Sequence, residues 1–93
     1  MISCDGDRCL LQGPVNIGNV VTVLEKARQL LTAPHVTIDL AGLTEVDSTT
    51  VSLLLEWRRA AQRENRKISY TNLPDNLKSL AELYGVMDLL GEG

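Results

Sequence analysis

A long helical pattern between two β-branched segments constrains this fold more than any other feature of the chain. Residues 36–40 read Val-Thr-Ile-Asp-Leu, which is typical of a strand covered on at least one face. Ser48 to about Arg63 carries apolar residues at three- and four-residue spacing, and Lys67–Thr71 again has the pattern of a strand. A helix that joins two neighbouring strands requires parallel pairing and a right-handed crossover. The sequence therefore predicts an α/β fold.

Two further strands and another helix are predicted before this unit. Residues 2–4 and 8–12 have strand character, and the Asp-Gly-Asp segment at 5–7 between them is a hairpin signal. The Gly-Pro pair at 13–14 ends the extended run, and an amphipathic helix of about four turns is expected to follow and to end at Pro34. Its predicted apolar positions are Ile17, Val20, Val21, Leu24, Ala27 and Leu31.

A last helix is predicted from Pro74 to Gly85, which gives the order β-β-α-β-α-β-α. We therefore expect a mixed sheet of about four strands packed with three to four helices, in a single domain over residues 1–93. Only Met1 and residues 91–93 are expected to be loose.

Composition narrows the class of function. Leu, Val and Ile together make 16 + 8 + 4 = 28 of 93 residues, enough for a core, and the formal charge of −3 disfavours a nucleic-acid partner. A domain of this size leaves little room for a deep pocket beside its core. Neither a phosphate-binding GxxxxGK[ST] loop nor a Ser/His/Asp set is present. A binding module without a cofactor or metal is therefore expected rather than an enzyme.

The absence of a long apolar run, and of a basic start followed by a hydrophobic stretch in the first 20 residues, predicts a chain that stays in the cytosol. Cys4 and Cys9 are five residues apart, which fits neither a CxxC motif nor a zinc half-site, and His35 is the only histidine. No run approaches the roughly 18–20 apolar residues of a membrane span. Reduced, structural thiols are expected, and a functional thiol or metal site is the alternative.

The junction Asp47-Ser48-Thr49-Thr50 opens the predicted second helix and has two interpretations. A hydroxyl or carboxylate there can accept a hydrogen bond from an amide of the first turn, so a capping role would suffice. A helix start also favours added negative charge, so a phosphate on Ser48 would change the surface without unfolding the helix. A regulatory or contact role is therefore the functional alternative.

The same helix has an apolar arc of roughly 220°, wider than one sheet face requires. Leu53, Trp57 and Ala60 form a flank that could lie against a partner protein or against the next helix. We expect the partner, and the alternative is that Trp57 fills the edge of a small core. Polar and charged residues are predicted on the opposite side, contiguous with the helix start: Ser48, Ser52, Glu56, Arg59 and Arg63.

The stretch VTIDLAGLTEVDSTTVSLLLEWRRAA resembles the central segment of STAS domains, the fold of anti-sigma factor antagonists and related modules. The resemblance extends over roughly residues 1–90. The tail LKSLAELYGVMDLL and the short length are most similar to the MlaB group, the STAS subunits of Mla phospholipid ABC transporters.

This resemblance implies roles for the helix start. Ser48 stands where regulatory members carry a phosphorylatable serine, and where the transporter subunits carry a hydroxyl that contacts the ATPase; Asp47 matches the preceding acidic residue. Asp39 matches the residue that closes the strand. Regulatory members usually carry glycine and leucine at the positions of Thr50 and Val51, and side chains added beside the hydroxyl favour a constitutive contact.

The resemblance thus implies a non-enzymatic subunit that binds and regulates the ATPase of an ABC phospholipid transporter maintaining outer-membrane lipid asymmetry. That ATPase would belong to a complex with permease and substrate-binding subunits, which would hold the chain at the cytoplasmic face of the inner membrane. The expected contact residues are Asp47, Ser48, Thr49, Ser52, Trp57 and Arg59. The alternative is an anti-sigma factor antagonist with Ser48 as its phosphoacceptor.

Overall fold

A computed structural model describes residues 1–90 as a four-stranded mixed sheet with four helices, which confirms the predicted α/β class. The main sheet has the strand order β1-β2-β4-β6, and β3 and β5 form a separate two-stranded ladder. The strands are β1 (Ile2–Asp5), β2 (Arg8–Leu11), β3 (Gly13–Pro14), β4 (His35–Asp39), β5 (Leu43–Glu45) and β6 (Lys67–Thr71). The helices are α1 (Val20–Leu30), α2 (Ser48–Arg63), α3 (Asp75–Leu83) and α4 (Met87–Leu90).

The N-terminal hairpin corrects the prediction for the two cysteines. Strands β1 and β2 are antiparallel, with Asp5 opposite Arg8 and Cys4 opposite Cys9, and the two cysteines form a disulfide. The predicted reduced thiols are therefore wrong for this structure. The turn comprises two residues, with Gly6 at φ 65°, rather than three, and this one-residue difference is what sets Cys4 against Cys9.

Helix α1 is shorter than predicted. It begins at Val20 and ends at Leu30, four residues before Pro34. The Asn16 side chain accepts a hydrogen bond from the Gly18 amide at 2.9 Å, and Asn19 accepts one from the Asn16 amide at 3.0 Å. These side chains stabilise a turn in place of the first predicted helical turn, because Asn competes for backbone groups outside helices.

The ladder of β3 and β5 was not predicted, because each strand has only two or three residues and the sequence reads as loop there. The Gly13 amide donates to the Gly42 carbonyl at 2.9 Å, and the Val15 amide donates to the Glu45 carbonyl at 3.2 Å. The ladder lays the segment before α1 alongside the loop that precedes α2.

Helix α2 has the predicted bounds, but its wide apolar arc is covered within the chain. The helix contacts β6 on one side and α1, α3 and α4 at its flanks. Leu53 and Trp57 are buried among these elements, at 3% and 4% exposure. The expected partner contact is therefore wrong for both residues, and the alternative of packing against neighbouring helices and the core holds. The sheet covers part of the apolar arc, and three helices cover its flanks.

The parallel core follows the predicted crossovers. Strand β4 pairs in parallel with β2 and with β6. The hydroxyl of Tyr70 in β6 donates to the Leu54 carbonyl of α2 at 2.7 Å, and burial raises the pKa of this phenol above its ordinary range while Arg58 opposes the shift. This hydrogen bond fixes α2 on the sheet.

The C-terminal helix pair and Met1 complete the described chain. Helix α3 ends before Gly85, whose φ of 71° suits the residue that terminates a helix. The Met1 amine donates to the Gln12 carbonyl, and the Gln12 amide donates back to Met1 at 2.8 Å, so Met1 is not loose as predicted. The prediction for residues 91–93 lies outside the described residues. None of the described helices is long and apolar enough to cross a membrane.

Candidate functional site at the start of helix α2

Two reciprocal hydrogen bonds begin helix α2. The Asp47 carboxylate accepts from the Thr50 amide at 3.2 Å, and the Thr50 hydroxyl oxygen accepts from the Asp47 amide at 3.1 Å. This is a capping box, and it satisfies backbone donors that have no partner inside the helix. The cap is therefore Asp47 with Thr50, whereas Ser48 is the first residue of the helix.

Thr50 also fixes the helix to the rest of the fold. Its hydroxyl donates to the Val15 carbonyl at 2.8 Å, and the side chain is fully buried. The sequence-based expectation that Thr50 adds a side chain beside the Ser48 hydroxyl is therefore wrong. Thr50 holds the start of α2 against the segment after β3. The Asp-x-x-Thr spacing of residues 47–50, which is typical of a helix cap, was the sequence pattern that could have indicated this role.

Ser48 and Ser52 are the exposed hydroxyls of the site. They lie one helical turn apart on the outer side of α2, and Thr49 between them is half-buried. Within residues 1–90 the Ser48 side chain has no hydrogen-bond partner, so its donor and its acceptors are available to a binding partner. The positive end of the helix dipole lies at the same point and favours a negative group.

The predicted charged stripe continues along the outer face of α2. Arg59 and Arg63 each pair with Glu56, at 3.1 and 3.3 Å, and both arginine side chains are more than 60% exposed. Arg59 follows Ser48 by 11 positions, which is about 16 Å along the helix and almost the same angular position. The structure therefore brings Ser48, Ser52 and Arg59 onto one surface, as predicted.

An apolar part of this surface was missed by sequence reasoning. Ile17 and Val21, predicted to lie on the apolar face of α1, are 83% and 63% exposed. Ile17 follows Val15 by two residues, and the Val15 carbonyl is the acceptor of the Thr50 hydroxyl, so the loop adjoins the start of α2. The Asn-x-Gly-Asn segment at 16–19 was the available signal, since it favours a turn over a helix.

Two of the singled-out residues do not belong to this surface. Trp57 lies in the core on the opposite side of α2 from Ser48. The carboxylate of Asp39 accepts from the Ala41 amide at 2.9 Å, which makes it part of the turn that follows β4.

The arrangement is suited to protein recognition rather than to metal binding. We define the helix-start surface as Ser48, Ser52 and Arg59 of α2 together with Ile17 of the adjoining loop. It combines unpaired hydroxyls, an exposed apolar side chain and a charged rim, which is the composition of a protein interface. Among the described residues, no group of three His, Cys, Asp or Glu side chains could hold a metal ion.

Comparison with solved structures gives the fold independently. SpoIIAA, in a structure described as that of the anti-sigma factor antagonist in its unphosphorylated form, matches with a TM-score of 0.77 and 13% identity. That match covers 100% of this chain and 86% of SpoIIAA. A structure of Mglu matches with a TM-score of 0.63 and 25% identity, over 83% of this chain but 20% of Mglu. This chain thus spans about a fifth of the length of Mglu.

The family comparison covers most of the sequence. A search of curated proteins gave no significant match. The family described as "Mlab, STAS domain" matches residues 7–91, which include the hairpin strand β2, the capping box and all four helices. The chain therefore belongs to the STAS domain family, in its Mlab group.

Proposed function

We propose that the chain is a non-enzymatic STAS subunit that binds and regulates the ATPase of an ABC transporter for phospholipids, which maintains outer-membrane lipid asymmetry. The contact is the helix-start surface, and the chain sits at the cytoplasmic face of the inner membrane through this partner. The observation that carries the proposal is the family match over residues 7–91 together with the exposed, unpartnered hydroxyl of Ser48.

The rigid support of Ser48 favours binding without rearrangement. Because Asp47 and Thr50 satisfy one another and Thr50 is anchored to Val15, the first turn of α2 is ordered before any partner arrives. Preorganisation lowers the entropy cost of association. Regulation then follows if the ATPase conformations differ in affinity for this surface, since a ligand shifts an equilibrium only through such a difference.

The experiment is co-purification with the ATPase of the transporter, using Ser48→Asp and Ile17→Asp as surface variants. Each places a charge on the helix-start surface and should weaken capture by about tenfold or more. Ser79→Asp is the matched control, because Ser79 is also an exposed helical serine but lies on α3. Equal capture of both surface variants and the control would reject this interface.

A second function is supported by the likeness to SpoIIAA and by the exposure of Ser48 at a helix start. In that case the chain is an anti-sigma factor antagonist that is switched by phosphorylation at Ser48. Incubation with the cognate anti-sigma kinase should then add one phosphate to the wild type and none to Ser48→Ala, measured by intact mass. A chain that binds the ATPase and accepts no phosphate excludes this alternative.

A further inference from the structure

A groove lies between α1 and the C-terminal half of α2, with β6 at its edge. Its lining includes Glu56, which pairs with Arg59 of the helix-start surface. Its volume is about 470 Å³, within the range of sites that take small molecules. The apolar lining consists of Leu24, Ala27, Leu31, Trp57, Ala60 and Ile68.

Two buried donors in the lining lack acceptors. Trp57 Nε1 and Arg66 Nε are inaccessible and have no hydrogen-bond partner among the described residues. The other nitrogens of Arg66 are used: one donates to the Leu31 carbonyl, and the other pairs with Glu64 at 3.1 Å. Both Trp57 and Arg66 line the groove, and buried polar groups are almost always hydrogen-bonded, so an acceptor group that enters between them would supply the partners that these donors lack.

The charge around the groove favours an anion. The lining includes Arg28, Arg63 and Arg66 against Glu56 and Glu64. Glu56 and Glu64 are engaged by Arg63 and Arg66, whereas Arg28 has no ion pair within residues 1–90. This local positive surplus stands out in a chain whose formal charge is −3.

We propose that this groove binds an anionic amphiphile, a single-chain molecule with a carboxylate or phosphate head and a short apolar body. The apolar lining would cover the body, and the arginines and unpaired donors would bind the head oxygens. Because Trp57 Nε1 and Arg66 Nε are inaccessible, side chains of the lining must move before the head can reach these two donors. This inference does not rest on the proposed contact with the ATPase.

The test uses Trp57, the only tryptophan of the chain, as an intrinsic fluorescent reporter inside the groove. Dodecanoate and dodecyl phosphate, each titrated below its micelle concentration, should change Trp57 emission saturably. Dodecanol should bind at least about tenfold more weakly than the anionic amphiphiles, because it lacks their charge. Inorganic phosphate should not change the Trp57 emission, because it lacks the apolar body. A difference between dodecanoate and dodecyl phosphate identifies the preferred head group.

Variants separate groove binding from surface adsorption. Ala60→Leu should abolish the change in Trp57 emission, because the larger side chain fills the groove. Arg28→Gln combined with Arg63→Gln should weaken the affinity for the anionic amphiphiles by about tenfold. Lys78→Gln, on α3 outside the groove, removes one positive charge and is the control for each single arginine variant; it should leave the emission change unaltered. Circular dichroism and thermal melting confirm that each variant is folded.

The proposal is overturned if folded wild-type protein shows no saturable change with either anionic amphiphile. It is equally overturned if folded Ala60→Leu titrates like the wild type, or if vesicles of acidic phospholipid alone change the emission. Binding of the ATPase to the helix-start surface is measured separately, by co-purification of the ATPase with the Ala60→Leu variant. Failure of one proposal therefore does not decide the other.

Discussion

The Thr50 hydroxyl donates to the Val15 carbonyl at 2.8 Å and ties the first turn of α2 to the segment that follows β3. The same oxygen accepts from the Asp47 amide and closes the capping box. One buried side chain therefore both begins the helix and positions the surface on which Ser48 and Ile17 are exposed.

Replacing Thr50 should destabilise the protein through these two bonds. Thr50→Val keeps the shape but removes the hydroxyl, which leaves the Val15 carbonyl without this donor, and the free energy of unfolding should fall by about 1–3 kcal/mol. Thr50→Ser should recover most of the loss. Urea unfolding measures the change, with Thr49→Val as the matched control on the neighbouring, half-buried threonine. Equal losses at both positions would contradict the role given to Thr50.

Trp57 should act as a core residue rather than as an interface anchor. Trp57→Ala should lower the free energy of unfolding by about 3–5 kcal/mol because it leaves a large cavity. Trp57→Phe should cost much less, since it retains an aromatic ring and removes the unpaired Nε1 donor. Chemical unfolding of both variants tests this. A fully stable Trp57→Ala would show that the side chain does not belong to the core.

Reduction of the Cys4–Cys9 disulfide should weaken the fold without abolishing it. The bond closes a short loop, for which chain entropy gives at most about 2 kcal/mol of stabilisation. The pairing of β1 with β2 also restrains the hairpin, so the measured loss should be smaller. Urea unfolding with and without a reductant measures it. The double variant Cys4→Ala and Cys9→Ala is the control and should not respond to reductant.

Alkaline pH should destabilise the protein through Tyr70. Burial raises the pKa of its phenol, so the unfolded chain releases this proton above about pH 10 while the folded chain retains it. The contribution of Tyr70 to the free energy of unfolding is therefore fully present below the pKa of this phenol in the unfolded chain. Above that pKa, the free energy of unfolding falls by up to about 1.4 kcal/mol per pH unit.

Tyr70→Phe should flatten this decline, and it should cost about 1 kcal/mol at neutral pH because the bond to the Leu54 carbonyl is lost. Tyr84→Phe, at an exposed tyrosine, is the control and should retain the decline. Urea unfolding from neutral pH to pH values above about 10 compares the three proteins. Parallel pH profiles for wild type and Tyr70→Phe would show that another group causes the alkaline loss.

The order of the main strands and helices along the chain, and the bounds of α2 and β6, could be predicted from the amino-acid sequence alone. These follow from local periodicity and from the rule that a helix crossover joins parallel strands, and neither needs knowledge of distant contacts. The sequence also placed Ser48, Ser52 and Arg59 on one face of α2, because the spacing of residues along a helix sets the directions of their side chains relative to one another.

What covers each face of a helix depends on contacts between segments that are distant in the sequence. The apolar arc of α2 has the same pattern whether a partner or the chain itself covers it, and contacts with the sheet and three helices buried Trp57. The Cys4–Cys9 bond depended on a hairpin register that a one-residue error in the turn would change. Likewise, Thr50 became an anchor through Val15, which lies 35 positions earlier. Such pairings arise from contacts between distant segments, whereas periodicity reports only local geometry.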